Sequence, residues 1–195
     1  MRVPGVFGRL VVVLVLFGVL AEPALSKVAQ EVTIDVSSAG AGTAVDSRLF
    51  RSSGLLLPES QCVPDCSGWQ ITGVQSDDAL VQPPGGAAIE GRFVRPASQV
   101  SLLVAPRLQG TARYTLRVFG GDGRALAEQS LTVTQDFGDP ANTGFGYFSL
   151  GVSGLARPAH SFRLENVFVR SSFPGNTEIP FGVSSISFTH FPGAR

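Results

Sequence analysis

From Val32 onward apolar residues recur at every second position in short stretches, and Gly, Pro, Asn or Asp fill the gaps between them. Period two is the signature of a strand with one buried face, because successive side chains of an extended chain point to opposite sides. The pattern predicts strands over 32–36, 54–57, 69–75, 79–82, 88–94, 99–105, 112–119, 125–134, 145–152, 161–169 and 181–190. The best helical candidate, Ala44 to Arg51, is barely two turns long, and no longer amphipathic helical pattern is present. Many short strands separated by turn residues predict an all-β fold, a two-sheet antiparallel β-sandwich of jelly-roll type.

The clearest element is the segment from Ala112 to Thr134. Tyr114, Leu116 and Val118 alternate with Arg113, Thr115 and Arg117 before Gly120-Gly121-Asp122-Gly123 reverses the chain. Glycine accepts the positive φ that a tight turn between right-twisted strands requires, so the segment reads as a hairpin. Tyr114 is expected in the core with Leu116 and Val118, Leu131 and Val133 are expected on the same inner face, and Arg113 and Arg117 in solvent.

The start of the chain follows a different pattern. Arg2 and Arg9 flank a short basic beginning, Leu10 to Leu20 is apolar apart from Gly18, and Ala24-Leu25-Ser26 places small residues at the −3 and −1 positions of a cleavage site. This is the three-part form of a signal peptide. Glu22 and Pro23 stop the apolar run well short of the roughly 20 residues that span a bilayer. Residues 1–26 are therefore expected to be removed, leaving a single domain over 27–195 that begins at Lys27. The mature product is expected outside the cytoplasm, secreted or periplasmic, without stable membrane insertion.

Charge narrows the partners. Lys plus Arg number 15 and Asp plus Glu 15, and loss of Arg2, Arg9 and Glu22 with the leader shifts the net charge by one, to −1. A nucleic-acid binder is not expected, since phosphate binding needs clustered positive charge. The only cysteines, Cys62 and Cys66, lie within Gln61-Cys62-Val63-Pro64-Asp65-Cys66-Ser67. In an exported chain a local disulfide is the favoured reading, contributing about 2 kcal/mol because the closed loop is short. A redox pair would more often read Cys-x-x-Cys before a helix. Zinc would need His160 and His190 as further ligands, and their spacing does not suit it.

Three segments together resemble a bacterial exported β-sandwich domain found in proteins that carry a PEP-CTERM sorting tail. They are Val32-Thr33-Ile34-Asp35 with Ala41-Gly42-Thr43-Ala44-Val45, then Val118-Phe119-Gly120-Gly121-Asp122-Gly123-Arg124-Ala125-Leu126, and last Phe181-Gly182-Val183-Ser184-Ser185-Ile186-Ser187-Phe188. Relatives of this type often carry Asp-Asp in the closing strand, where carboxylates hold a structural calcium ion. Ser184 and Ser185 stand at those positions, so at most a weak calcium site near Asp35 is expected, and no cofactor. The closing segment from His190 to Arg195 carries no Pro-Glu-Pro motif, so the anchoring route of those relatives is not expected to carry over.

Candidate chemistry is sparse. Hydrolysis of a glycoside needs two carboxyl groups facing each other across a cleft, and Glu31/Asp35, Asp77/Asp78, Asp136/Asp139 and Glu165/Glu178 are pairs by type only. His160 and His190 have no Gly-x-Ser-x-Gly elbow beside them, and Gly120 to Gly123 lacks the Gly-Lys-Ser/Thr sequel of a phosphate loop. Phe supplies 14 of the aromatics, leaving Trp69, Tyr114 and Tyr147 as rings with a polar tip. Trp69, at a strand start, and Tyr147, out of phase with Phe148 and Leu150, are the candidate ligand platforms. The leading expectation is a secreted, non-catalytic binding or structural module of the cell envelope or extracellular matrix, with carbohydrate binding as its sharper form. Its partner would be an extracellular glycan or an envelope protein. The alternative is a secreted glycoside or polysaccharide hydrolase of jelly-roll shape.

Overall fold

The computed structural model describes residues 29–39, 48–57, 71–74, 77–81, 88–106, 110–135, 146–171 and 181–191. The leader, Cys62, Cys66 and Trp69, Asp136, Asp139 and Glu178, and the first half of the helical candidate lie outside the described residues. Ten strands are described: β1 (Glu31–Asp35), β2 (Leu55–Leu56), β3 (Ile71–Val74), β4 (Asp77–Val81), β5 (Ile89–Pro106), β6 (Gly110–Phe119), β7 (Ala125–Gln135), β8 (Phe148–Val152), β9 (Ala159–Ser171) and β10 (Phe181–His190). Where a helix over 44–51 is predicted, residues 48–50 form a turn and Arg51–Ser53 a single 3-10 turn closed by Gly54 in the left-handed region.

All strand pairs are antiparallel, and the two layers share one strand. The first part of β5 pairs with β9 through Ile89↔Leu164 and Gly91↔Phe162, and with β2 through Leu55↔Phe93. Its last part pairs with β10 through Ile186↔Leu102 and with β8 through Leu102↔Leu150. One layer thus runs β7-β6-β9-β5-β2. The other runs β8-β5-β10, with β1 and the β3-β4 hairpin along the far side of β10. This is the antiparallel jelly-roll-like sandwich that the alternation predicts.

The two strands expected over 88–94 and 99–105 are one strand of 18 residues. Pro96 suggests a break because it donates no ladder hydrogen bond. It sits inside an irregularity between Arg92 and Ala97, where β5 leaves one layer for the other and needs no regular partner. Neighbouring segments satisfy backbone groups here instead: Val94 N–H donates to Gly54 O at 2.8 Å, and Phe191 N–H donates to Pro96 O at 2.8 Å.

Inner faces of the two layers meet through rings. Phe93 from β5 touches Phe162 of β9 (centroids 5.8 Å apart) and Phe188 of β10 (5.0 Å). Tyr114 of β6 packs on Phe148 of β8 (4.8 Å) and edge-on against Phe181 of β10 (5.6 Å). Offset and edge contacts of this kind contribute about 0.5–1.5 kcal/mol each beyond simple area burial. Gly91 is small for a reason: a Cβ there would run into the Phe162 ring on the paired strand. Tyr114, Leu116 and Val118 are buried as expected, whereas Leu131 is 40% exposed. The parity of Leu131 is inward, but β7 is the outermost strand of its layer, so the core does not reach it. Opposite this edge, β8 is tied on by a side chain: Gly151 N–H donates to Gln129 Oε1 at 2.6 Å.

Candidate outer-face binding site

The outer face of the β7-β6-β9-β5-β2 layer carries a row of charged side chains. Strict alternation turns Arg117 outward because Leu116 and Val118 face the core, and it turns Arg163 and Glu165 outward because Phe162 and Leu164 are buried. Register places Glu128, Arg117, Arg163 and Glu90 side by side on four successive strands. Arg117 and Arg163 would repel each other as direct neighbours. Glu165, one step along β9, sits between them.

The result is an unbroken chain of alternating charge. Arg117 Nε donates to Glu128 Oε2 at 2.6 Å, and Arg117 Nη1 donates to Glu165 Oε1. Arg163 Nη1 lies 3.2 Å from Glu90 Oε1, and Arg163 Nε lies 3.3 Å from Glu165 Oε2 without hydrogen-bond alignment. The Glu128 hydrogen bond first, and then the nearby Glu165 charge, raise the pKa of the Arg117 guanidinium. Such exposed pairs contribute little to folding. They do fix where planar donors and acceptors point, which ordinary surface side chains do not.

Two residues toward the β6-β7 hairpin, a second row crosses the same face. Leu56 stands beside Arg92, Arg92 beside Ser161, and Ser161 beside Phe119. Leu56 and Phe119 are half-buried yet do not belong to the core cluster. Neighbouring strands are about 4.8 Å apart, so Arg92 and Phe119, two strands from each other, flank a strip roughly 10 Å wide. Phe119 ends its strand just before the glycines, where the turn is the more conspicuous signal. Alternation gives its direction: Arg117 points outward, so Phe119 does too.

Beyond the strip, the hairpin turn is held in place. Asp122 Oδ1 accepts from Arg124 N–H at 3.1 Å, and Asp122 Oδ2 accepts from Arg157 Nη2 at 3.2 Å. These two contacts, in that order, keep its carboxyl below the usual range. His160 is exposed and packs beside Gly121, and His190 stacks edge-on against Phe188 at 5.4 Å.

The opposite layer presents a face of hydroxyls. Thr33 Oγ1 and Ser187 Oγ share a hydrogen bond of 3.0 Å, and Ser101 Oγ and Ser149 Oγ share one of 3.1 Å. Asp35 stands directly opposite Ser185, and no group of three His, Cys, Asp or Glu side chains converges among the described residues. Tyr147 is half-buried and its hydroxyl oxygen is shut off from solvent. Among the carboxylate pairs, Glu31 and Asp35 are exposed on one strand, Asp77 and Asp78 open the β4 side of a hairpin, and Glu165 is bound to arginines.

No family model matches the sequence, and no curated protein is significantly similar to it. Among solved structures, the VP2 subviral particle of infectious bursal disease virus aligns at TM-score 0.41 and 14% identity, over 89% of this chain and 37% of that one. The chain therefore spans little more than a third of that VP2 chain. The catalytic unit of a GH87 alpha-1,3-glucanase from Streptomyces thermodiastaticus aligns at 0.36 and 14% identity over 84% of this chain and 26% of that one. BiXyn10A CBM1 in its apo form aligns at 0.34 and 14% identity over 82% and 96%.

Proposed function

We propose that this chain is a secreted, non-catalytic binding module that takes a glycan on the outer face of its β7-β6-β9-β5-β2 layer. The observation that carries the reading is Phe119, a ring turned away from the core beside a row of arginines and carboxylates that hold one another in place. A pyranose offers a C–H face to an aromatic ring and vicinal hydroxyls to planar donors and acceptors, and a face built in advance loses less freedom on binding. The leader pattern supports export. A non-catalytic role fits carboxylates occupied by arginines on an open sheet instead of facing each other across a cleft.

The test is a glycan-array screen of the exported chain and of Phe119→Ala, with thermal melts of both. Retention of at least one glycan class, weakened about tenfold in the variant at unchanged Tm, is the expected result; tenfold corresponds to about 1.4 kcal/mol. No retained glycan, or full retention by Phe119→Ala, would overturn the reading. Release of reducing ends from a retained polysaccharide would favour the hydrolase instead.

A further inference from the structure

The acids and bases of the described surface are not evenly matched. Glu90, Glu128 and Glu165 are engaged by Arg117 and Arg163, and Asp122 by Arg157. Arg51, Arg92 and Arg95 are all exposed, and none has a side-chain ion pair or hydrogen bond among the described residues. The three come from one neighbourhood. Arg92 opposes Leu56 across the β2-β5 pair, Val94 N–H is bonded to Gly54 O, and Gly54 N–H is bonded to Arg51 O, which brings the 3-10 turn alongside the bend of β5. Val94, between the two β5 arginines, is 50% exposed.

From this placement we infer that the ligand is an acidic polysaccharide, a uronate-bearing chain whose carboxylates are taken by Arg51, Arg92 and Arg95 while a sugar face rests on Phe119. This ligand class rests on the glycan reading and extends it. Guanidinium groups present a planar fork that matches a carboxylate with two parallel N–H···O bonds, and Arg is less strongly hydrated than Lys, so less is lost when the pair forms. Glu90 shares the face with Arg92, but Arg163 already holds it. The apolar groups Leu56, Val94 and Phe119, with Arg92 and Ser161 between Leu56 and Phe119, suit the C–H faces of a sugar better than they suit a bare phosphate chain.

Binding of the exported chain is measured on immobilised polygalacturonate, alginate and hyaluronan, each beside its carboxyl-reduced form, with inorganic polyphosphate as a charge control. The expected result is at least a tenfold preference for the charged member of one pair, weakening as salt rises from 0.05 to 0.5 M through screening, where the Debye length falls to a few ångström. Arg92→Gln should lower that affinity at least tenfold at unchanged Tm, the triple Gln variant should abolish it, and Arg113→Gln, at the far end of the same face, should leave it unchanged. Equal binding to charged and reduced forms, or an indifferent Arg92→Gln, would overturn the acidic-ligand inference while the glycan reading stands. Polyphosphate bound as tightly as the best uronate would also overturn it. Failure on every pair together with an empty glycan array would remove both.

Discussion

Tyr114 illustrates how one residue couples packing to pH. Its ring joins β6 to the Phe148 and Phe181 rings of the other layer, and its hydroxyl meets the Asn166 side chain. Burial is the larger influence on the phenol and raises its pKa well above the ordinary value, with the Asn166 hydrogen bond opposing in part. A raised folded-state pKa means that the unfolded chain releases the proton first as pH rises. Stability from this group is therefore complete below about pH 10 and is lost above it, at up to roughly 1.4 kcal/mol per pH unit. Urea melts between pH 7 and 11 should show this decline, and Tyr114→Phe should flatten it while costing about 1 kcal/mol at pH 7 for the lost hydrogen bond. An unchanged alkaline slope in the variant would place the titrating group elsewhere. The alternation of β6 made Tyr114 legible as core in the sequence. The same alternation, carried one step further, identifies Phe119 as an outward ring, although the adjoining glycines signal a turn more strongly.

At the level of elements, the strands that alternate cleanly were legible almost to the residue, β10 over 181–190 among them. Elsewhere a long-range arrangement outweighs a local signal. Pro96 argues for a break, yet the changeover between layers gives it a position where no ladder bond is needed. The ion-paired row was not legible either, because nothing in the sequence of β6 says that Arg117 stands between Glu128 and Glu165 on two other strands. The β6-β7 turn, by contrast, was legible and yields a clean backbone test. Gly123 has φ of +74°, and a Cβ there would meet nothing within 4 Å. Only the left-handed backbone therefore opposes a side chain, and Gly123→Ala should cost about 1 kcal/mol while Gly123→Asn costs less. Guanidinium denaturation of the two variants checks the order. Equal stability of Ala and wild type would mean that the turn relaxes to a different backbone conformation.

The whole molecule is organised by β5, which belongs to both layers and so gives neither an independent edge at the point where they meet. The rings reinforce this coupling, since Phe93 on the first part of β5 lies against Phe162 in one layer and Phe188 in the other. Two layers joined only by a loop can open separately, whereas layers that share a hydrogen-bonded strand and an aromatic cluster must give up both sets of contacts together. Loss of a buried ring in one layer should therefore be felt throughout. Phe188→Ala, at a fully buried site of β10, should destabilise the fold by about 3–5 kcal/mol. Native-state hydrogen exchange would report where that loss appears. Amides of β6 and β9, which do not pair with β10, should lose as much protection as those of β1 and β10. Retained protection in β6 and β9 alongside a weakened β10 would mean that the layers open independently, and that the bend at Pro96 acts as a hinge between them and not as a joint.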